Sequence, residues 1–337
     1  MKPTRPLCLC LALILVTIMQ ECNAMDAEWN PRDRFIKTLV DSVPQTLKRQ
    51  DKETVRFGSK PWICHDQNVV FPLAAAWAIQ DPMNTWYHNA ELLEAIMRGG
   101  DALIADQDPK GMWTFRKKDN STWGQILMPW TYSSWIRAFQ IIKDAMPADR
   151  REHWEKGLLL GFENISKTCL GQVHNIPTHH AMGLYCAGLC FNREDWKKQA
   201  KDFMAKAVAA QSPGGWWSEH SGPVVAYNFV YVEALGVYYA MSHDESVLEA
   251  LRRAAVYHAS FTYPDGCAVE TVDERNPYHG ASRLGTSASA SRPRGAAGSC
   301  ARTSCANGTW TPTTPRASCS MASRARSRRP RPTATRA

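Results

Sequence analysis

The 337-residue chain carries a formal net charge of +8, but that excess is confined to its end. Residues 281–337 hold 11 Arg and no Lys, Asp or Glu, so the 29 basic residues before them stand against 32 acidic ones. This mildly acidic remainder gives no support to a general affinity for nucleic acid.

Residues 1–24 predict a secretory signal peptide. Lys2 and Arg5 form the basic start, residues 7–19 the apolar stretch, and Cys22-Asn23-Ala24 the small-residue cleavage site. The apolar run is shorter than the roughly 20 residues that a membrane span needs. Export is therefore favoured over anchoring, and the mature chain is expected to be secreted or periplasmic, with no membrane association after cleavage.

From about residue 32 to 262 the pattern is helical, and residues 25–280 read as one catalytic-type domain. Apolar residues recur at three- and four-residue spacing over 89–106, 130–146, 151–165, 178–191, 196–210, 224–241 and 246–260. Asp108-Pro109-Lys110-Gly111, Met146-Pro147-Ala148-Asp149 and Ser212-Pro213-Gly214-Gly215 mark stops between them. No strand-like alternation of useful length is seen before residue 262. The fold class is therefore all-α, with successive antiparallel helix pairs building a curved or closed α/α array, because each pair needs neighbours to bury its apolar faces.

Composition changes at about Gly280. Beyond it there is no Ile, Val, Phe, Tyr or Lys, and the large apolar residues are only Leu284, Trp310 and Met321. Such a segment buries too little surface to offset its chain entropy, so residues 281–337 are expected to be a disordered Arg/Ser/Pro/Ala-rich tail. A basic arm for polyanions is one reading. Out-of-frame translation of GC-rich coding sequence is the preferred one, because Lys and acids are absent altogether.

Of 11 Cys, three lie in the signal region (Cys8, Cys10, Cys22) and three in the tail (Cys300, Cys305, Cys319). The remaining five, Cys64, Cys169, Cys186, Cys190 and Cys267, are odd in number and contain no CxxC pair. This argues against a disulfide framework or a structural zinc site, leaving room for one incidental bridge. Cys186 and Cys190, four apart on one predicted helix, read as small buried residues.

The chemistry-bearing segments are His174-Asn175-Ile176-Pro177-Thr178-His179-His180 and Glu219-His220-Ser221-Gly222-Pro223, the second leading to Tyr227. Pro177 and Pro223 both suit a first helical position. On that reading Asn175 precedes one helix, His179 and His180 occupy its first turn, and Tyr227 lies about one turn into the next. Helix starts expose unpaired N–H groups and partial positive charge, which suits a substrate carboxylate. An amide, imidazoles, a phenol and an anion seat are the parts needed to remove a proton beside a carboxylate.

No HExxH or comparable carboxylate spacing accompanies the histidines, so neither a metal nor another cofactor is expected. Tyr227, Tyr231 and Tyr238 share a face, and the last two read as core. Among 13 Trp, Trp123, Trp130, Trp216 and Trp217 are candidates to stack on sugar rings. Glu219, His220 and Arg137 are further substrate-contact candidates. Glu219 and Glu233, with Asp265, Glu270, Asp273 and Glu274, permit a rival reading as a glycoside hydrolase with paired carboxylates.

The Asn175 to His180 segment, Ser218-Glu219-His220-Ser221-Gly222-Pro223 leading to Tyr227, and Tyr263-Pro264-Asp265-Gly266 together resemble the α/α-toroid polysaccharide lyases, the alginate-lyase and heparinase-type group. The resemblance spans roughly residues 60–280. It departs from the common pattern, in which His often follows Asn directly, and so leaves His179 and His180 as alternatives.

The resemblance implies an incomplete toroid, with the usual C-terminal β-sheet domain lost beyond Gly280 and activity impaired accordingly. It further implies β-elimination on a uronic-acid polysaccharide or oligosaccharide. Asn175 with His179 or His180 would hold the carboxylate and stabilise the enolate-like intermediate. Tyr227 would remove the C5 proton or protonate the departing oxygen. A glycoside hydrolase and a non-catalytic acidic-glycan-binding protein are the alternatives.

Overall fold

The computed structural model describes residues 30–219 and 222–263. The signal-peptide reading, His220, Asp265, Glu270, Asp273, Glu274 and the tail lie outside the described residues. So does any domain beyond Gly280.

The described chain is mostly helical. In order it forms α1 (Pro31–Leu47), a 3-10 turn (Cys64–Val69) running into α2 (Val70–Ala78), α3 (Ala90–Asp106), a hairpin of β1 (Trp113–Arg116) and β2 (Thr122–Ile126), α4 (Pro129–Ile142) and α5 (Ala148–Thr168). There follow α6 (Asn175–Cys190), α7 (Glu194–Ala209), the short strands β3 (Ser218–Glu219) and β4 (Gly222–Pro223), α8 (Val225–Ser242) and α9 (Leu248–Ser260). None of these helices is long and apolar enough to cross a membrane.

Burial sorts the helices into two rows. α4 and α6 are buried on nearly every face, whereas α5 and α7 bury one stripe each: Trp154, Leu158, Phe162 and Ile165 on the first, and Trp196, Ala200, Phe203 and Ala207 on the second. Accordingly α2, α4, α6 and α8 pack successively against one another, and α3, α5, α7 and α9 connect and flank them.

In the first row, α4, α6 and α8 run parallel. Near the helix starts, Trp130 of α4 meets His179 of α6, and further along Gln140 meets Cys186. His179 faces Glu233 of α8, and Tyr185 meets Tyr238. Arg137 of α4 lies over Phe71 of α2. The N-terminal halves of α4, α6 and α8 therefore lie on the same side of this row.

An aromatic core made by Trp113, Tyr132, Trp135, Trp154 and Phe162 binds the first half, and Trp217, Tyr231 and Tyr238 anchor a second cluster with α7 and α9. Close approach depends on two glycines. A Cβ at Gly100 would overlap the Trp154 indole, and one at Gly161 would overlap the Tyr132 hydroxyl.

Two expectations need correction. A hairpin exists where no strand was expected: β1 alternates buried Trp113 and Phe115 with exposed Thr114 and Arg116. It is only four residues long, and its partner β2 is exposed along almost its whole length, so neither strand gives a readable alternation. The prolines also do not start their helices. His174 is the N-cap of α6, its carbonyl accepting from the Thr178 N–H and hydroxyl, which puts Pro177 third in the helix. Pro223 pairs with Ser218 in the β3–β4 ladder, and α8 begins at Val225.

Candidate functional site

The starts of α6 and α8 bring the predicted polar residues together through two carboxylates. Asn175, the first residue of α6, donates from Nδ2 to Glu219 Oε1 at 3.0 Å. The Tyr231 hydroxyl donates to the same oxygen at 3.0 Å. All three side chains are buried. Burial, followed by the Glu219 charge, pushes the Tyr231 hydroxyl well above its ordinary pKa, so Tyr231 is a donor to Glu219 and not a base.

One turn deeper, His179 Nε2 lies 3.7 Å from Glu233 Oε2, and Arg137 reaches Glu233 Oε1 at 3.9 Å. Arg137 Nε donates to the Ser133 carbonyl, and its guanidinium stacks 3.9 Å from the Phe71 ring centroid. Burial works against the Glu233 anion, but His179 and then Arg137 overcome it and hold the carboxyl below the usual carboxylate range. The His179 ring is 1% exposed, tilted against Trp130 at 5.7 Å, and neither ring nitrogen has a hydrogen-bond partner. The imidazole therefore meets the Glu233 carboxylate by charge and not through a hydrogen bond of ordinary length.

The structure separates the two histidines. They are consecutive and so project about 100° apart around α6. His180 is fully buried and bonded to the Leu127 backbone. Burial, then the neighbouring His179 charge, takes its pKa down to about 3. Burial thus favours the neutral form of His180, which sits in the core beside Leu127.

Its folded pKa lies below the ordinary value of 6.5, so the stability that it contributes is fully present above about pH 6.5. That contribution is lost as pH falls from there towards 3. In denaturant titrations between pH 7 and 4, His180→Gln should flatten the acid limb by up to about 1.4 kcal/mol per pH unit. An unchanged slope would remove His180 as its source.

The other candidates divide. Tyr227 is half-buried in the first turn of α8. Trp130 is half-buried beside His179. Trp216 is half-buried in the turn before β3. Trp123 is 48% exposed on the hairpin, packed on Phe115 with the Lys117 ammonium 5.8 Å from its ring. Trp217, by contrast, is a core residue: it is 1% exposed, stacks on Tyr231 at 4.9 Å and donates from Nε1 to the Ala207 carbonyl, so its face is not available to a sugar.

Glu233 entered the sequence reading only among the carboxylates of the rival hydrolase, and Tyr231 only as core, so the contacts of Glu233 with His179 and of Tyr231 with Glu219 were not expected. A signal for Glu233 was present: it is the single charged residue of α8, as Arg137 is of α4, and charges are placed on apolar helices chiefly in pairs. Among the described residues, no group of three or more His, Cys, Asp and Glu is arranged to hold a metal ion. Scanning protein-family models and curated protein sequences gives no match to this chain.

Proposed function

We propose that this chain is a polysaccharide lyase, an (α/α) toroid acting outside the cytoplasm by β-elimination on a uronic-acid-containing polysaccharide. The observation carrying this reading is the buried His179 imidazole, which faces Glu233 at 3.7 Å with neither ring nitrogen hydrogen-bonded and lies one turn from Asn175 near the start of α6. Helix starts favour an anion, and an imidazole whose nitrogens make no hydrogen bond has an N–H to offer it.

In this reading the uronate carboxylate takes the open positions beside His179 and Asn175. Neutralising that carboxylate acidifies the C5 proton, and the same donors stabilise the enolate-like intermediate. Tyr227 removes the proton and returns one to the departing glycosidic oxygen. The two nearby carboxylates need not repel an anionic substrate, because Glu219 accepts from Asn175 and Tyr231 while Glu233 faces Arg137 and His179. With His179 at 1% exposure, substrate contact requires its neighbours to move apart, and Trp130 is one of them. Trp123 and Trp216 remain available to stack on sugar rings.

The competing hydrolase reading needs one carboxyl protonated, with a raised pKa; Glu233 is held below its ordinary range, and Asp265, Glu270, Asp273 and Glu274 lie outside the described residues. The test is to incubate the protein with a panel of acidic polysaccharides and record both new double-bond absorbance and new reducing ends. The expected result is absorbance rising with reducing ends. Reducing ends without absorbance would establish a hydrolase, and retention without turnover a binding protein.

A further inference from the structure

The β1–β2 hairpin carries a cluster outside the His179 site. Trp123 is the only exposed tryptophan among the described residues, and its ring packs on Phe115 with the half-buried Lys117 ammonium 5.8 Å from its centre. A second pair repeats the arrangement on the loop before the 3-10 turn, where the exposed Lys60 lies 5.2 Å from the centre of the half-buried Trp62 ring. Lys118 fastens the two segments together. Its ammonium donates to the Ser59 and Pro61 carbonyls at 2.7 and 3.0 Å, on either side of Lys60, and to Asp66. The Phe115 ring also meets His65 of the turn at 5.7 Å. Both Lys–Trp pairs therefore border one seam, between the hairpin and residues 59–66.

We propose that these two Lys–Trp pairs form a distal subsite for an acidic polysaccharide, holding sugar units beyond the one at His179. The chemistry of each pair suits a uronate. The indole face covers the apolar C–H face of a sugar ring, and the ammonium beside it meets that ring's carboxylate. A neutral glycan gains only the first contact. Lys118 and Asp66 satisfy one another, whereas Lys117 has Asp119 at 4.0 Å, a pair exposed enough for a polyanion to displace. Arg116, exposed on the outer face of β1, adds to the positive field of the hairpin.

Chain connectivity bounds the reach of this subsite. β2 ends at Ile126, and Trp130, a little further on in the first turn of α4, is the residue that meets His179. The stretch from Trp123 to Trp130 covers at most about 25 Å even when fully extended, a distance that a chain of several sugars spans. The subsite rests on the lyase reading for its link to His179, and it makes the substrate a polymer held at two places on the protein.

The experiment runs the full chain through native gels containing alginate, hyaluronan, polygalacturonate or, as a neutral control, dextran, and records double-bond absorbance on the same polymers separately. At least one uronic polymer should retard the parent chain, and dextran should not. Trp123→Ala should weaken that retention by roughly 3- to 10-fold. Lys60→Gln combined with Lys117→Gln should weaken it as much, removing charge without touching an aromatic ring, and should blunt its salt dependence. A melting curve on each variant checks its fold. Variants retained as strongly as the parent, equal retention in dextran, or no retention in any uronic polymer would overturn the subsite. Retention that falls in these variants supports it even where no unsaturated product forms, a result that would count against the lyase reading alone.

Discussion

Tyr227→Phe is expected to lower the rate of unsaturated-product formation by about 10²–10⁴-fold, the usual worth of a positioned proton-transfer group, or roughly 3–5 kcal/mol of barrier. The substitution removes one oxygen from a half-buried ring in the first turn of α8, so the fold should be undisturbed. Binding of an acidic oligosaccharide should persist, which places the loss in kcat and leaves KM nearly unchanged. His179→Gln is expected to differ, because the residue would hold the substrate carboxylate before and during reaction; both kcat and KM should suffer. Tyr231→Phe separates chemistry from scaffold. It lies one turn from Tyr227, but its hydroxyl serves Glu219, so its removal should cost about 1 kcal/mol of stability with a far smaller effect on rate. Undiminished turnover in Tyr227→Phe would remove the phenol from the mechanism.

Much of this frame was legible in the sequence, for reasons that differ along the chain. The helices from residue 90 onward were visible because each carries a buried stripe or is apolar throughout, and their ends fall within a few residues of Gly, Pro or Asp stops. The helix starts at the site were less legible. Proline at a first position is a statistical preference, and here the helix begins two residues earlier, its first turn closed by the Thr178 N–H and hydroxyl on the His174 carbonyl. That shift put His179 and His180 in the second turn of α6, where a one-residue difference decides between an imidazole facing Trp130 and Glu233 and one bonded at Leu127, both buried.

The pairings across the site were illegible for a simpler reason. His179 and Glu233 are 54 positions apart, and only the parallel docking of α6 and α8 brings them within 3.7 Å. Trp217 illustrates the converse. Beside Trp216 and Glu219 it reads as a binding-loop aromatic, but the ring stacks inward on Tyr231, and its backbone N–H is held by Asn228 at 3.1 Å. Adjacent residues in an extended segment point to opposite sides, so two neighbouring tryptophans can serve different purposes.

Trp154→Ala should be among the most damaging single changes to stability, at about 3–5 kcal/mol. The indole is fully buried on α5 between Trp135 and Phe139, with ring centroids 5.9 and 6.2 Å away. Its Nε1 donates to Asp101, but Arg150 also donates to that carboxylate from Nε and Nη2, so the charge remains paired after truncation. The cost should therefore arise chiefly from the cavity and the lost contacts, read as a lower denaturant midpoint with an unchanged slope.

Gly100 makes the argument sharper. Its place in the middle of α3 costs about 1 kcal/mol of helix propensity relative to Ala, and the indole explains the exception, because any Cβ there meets the ring. Gly100→Ala alone should thus destabilise by about 1–3 kcal/mol through overpacking. In the Trp154→Ala background the obstruction is gone, and the same substitution should become neutral or stabilising by up to about 1 kcal/mol. A sign change of this kind requires direct contact between the two sites. Equal costs of Gly100→Ala in both backgrounds would mean that backbone geometry at Gly100, and not the Trp154 ring, sets the need for glycine.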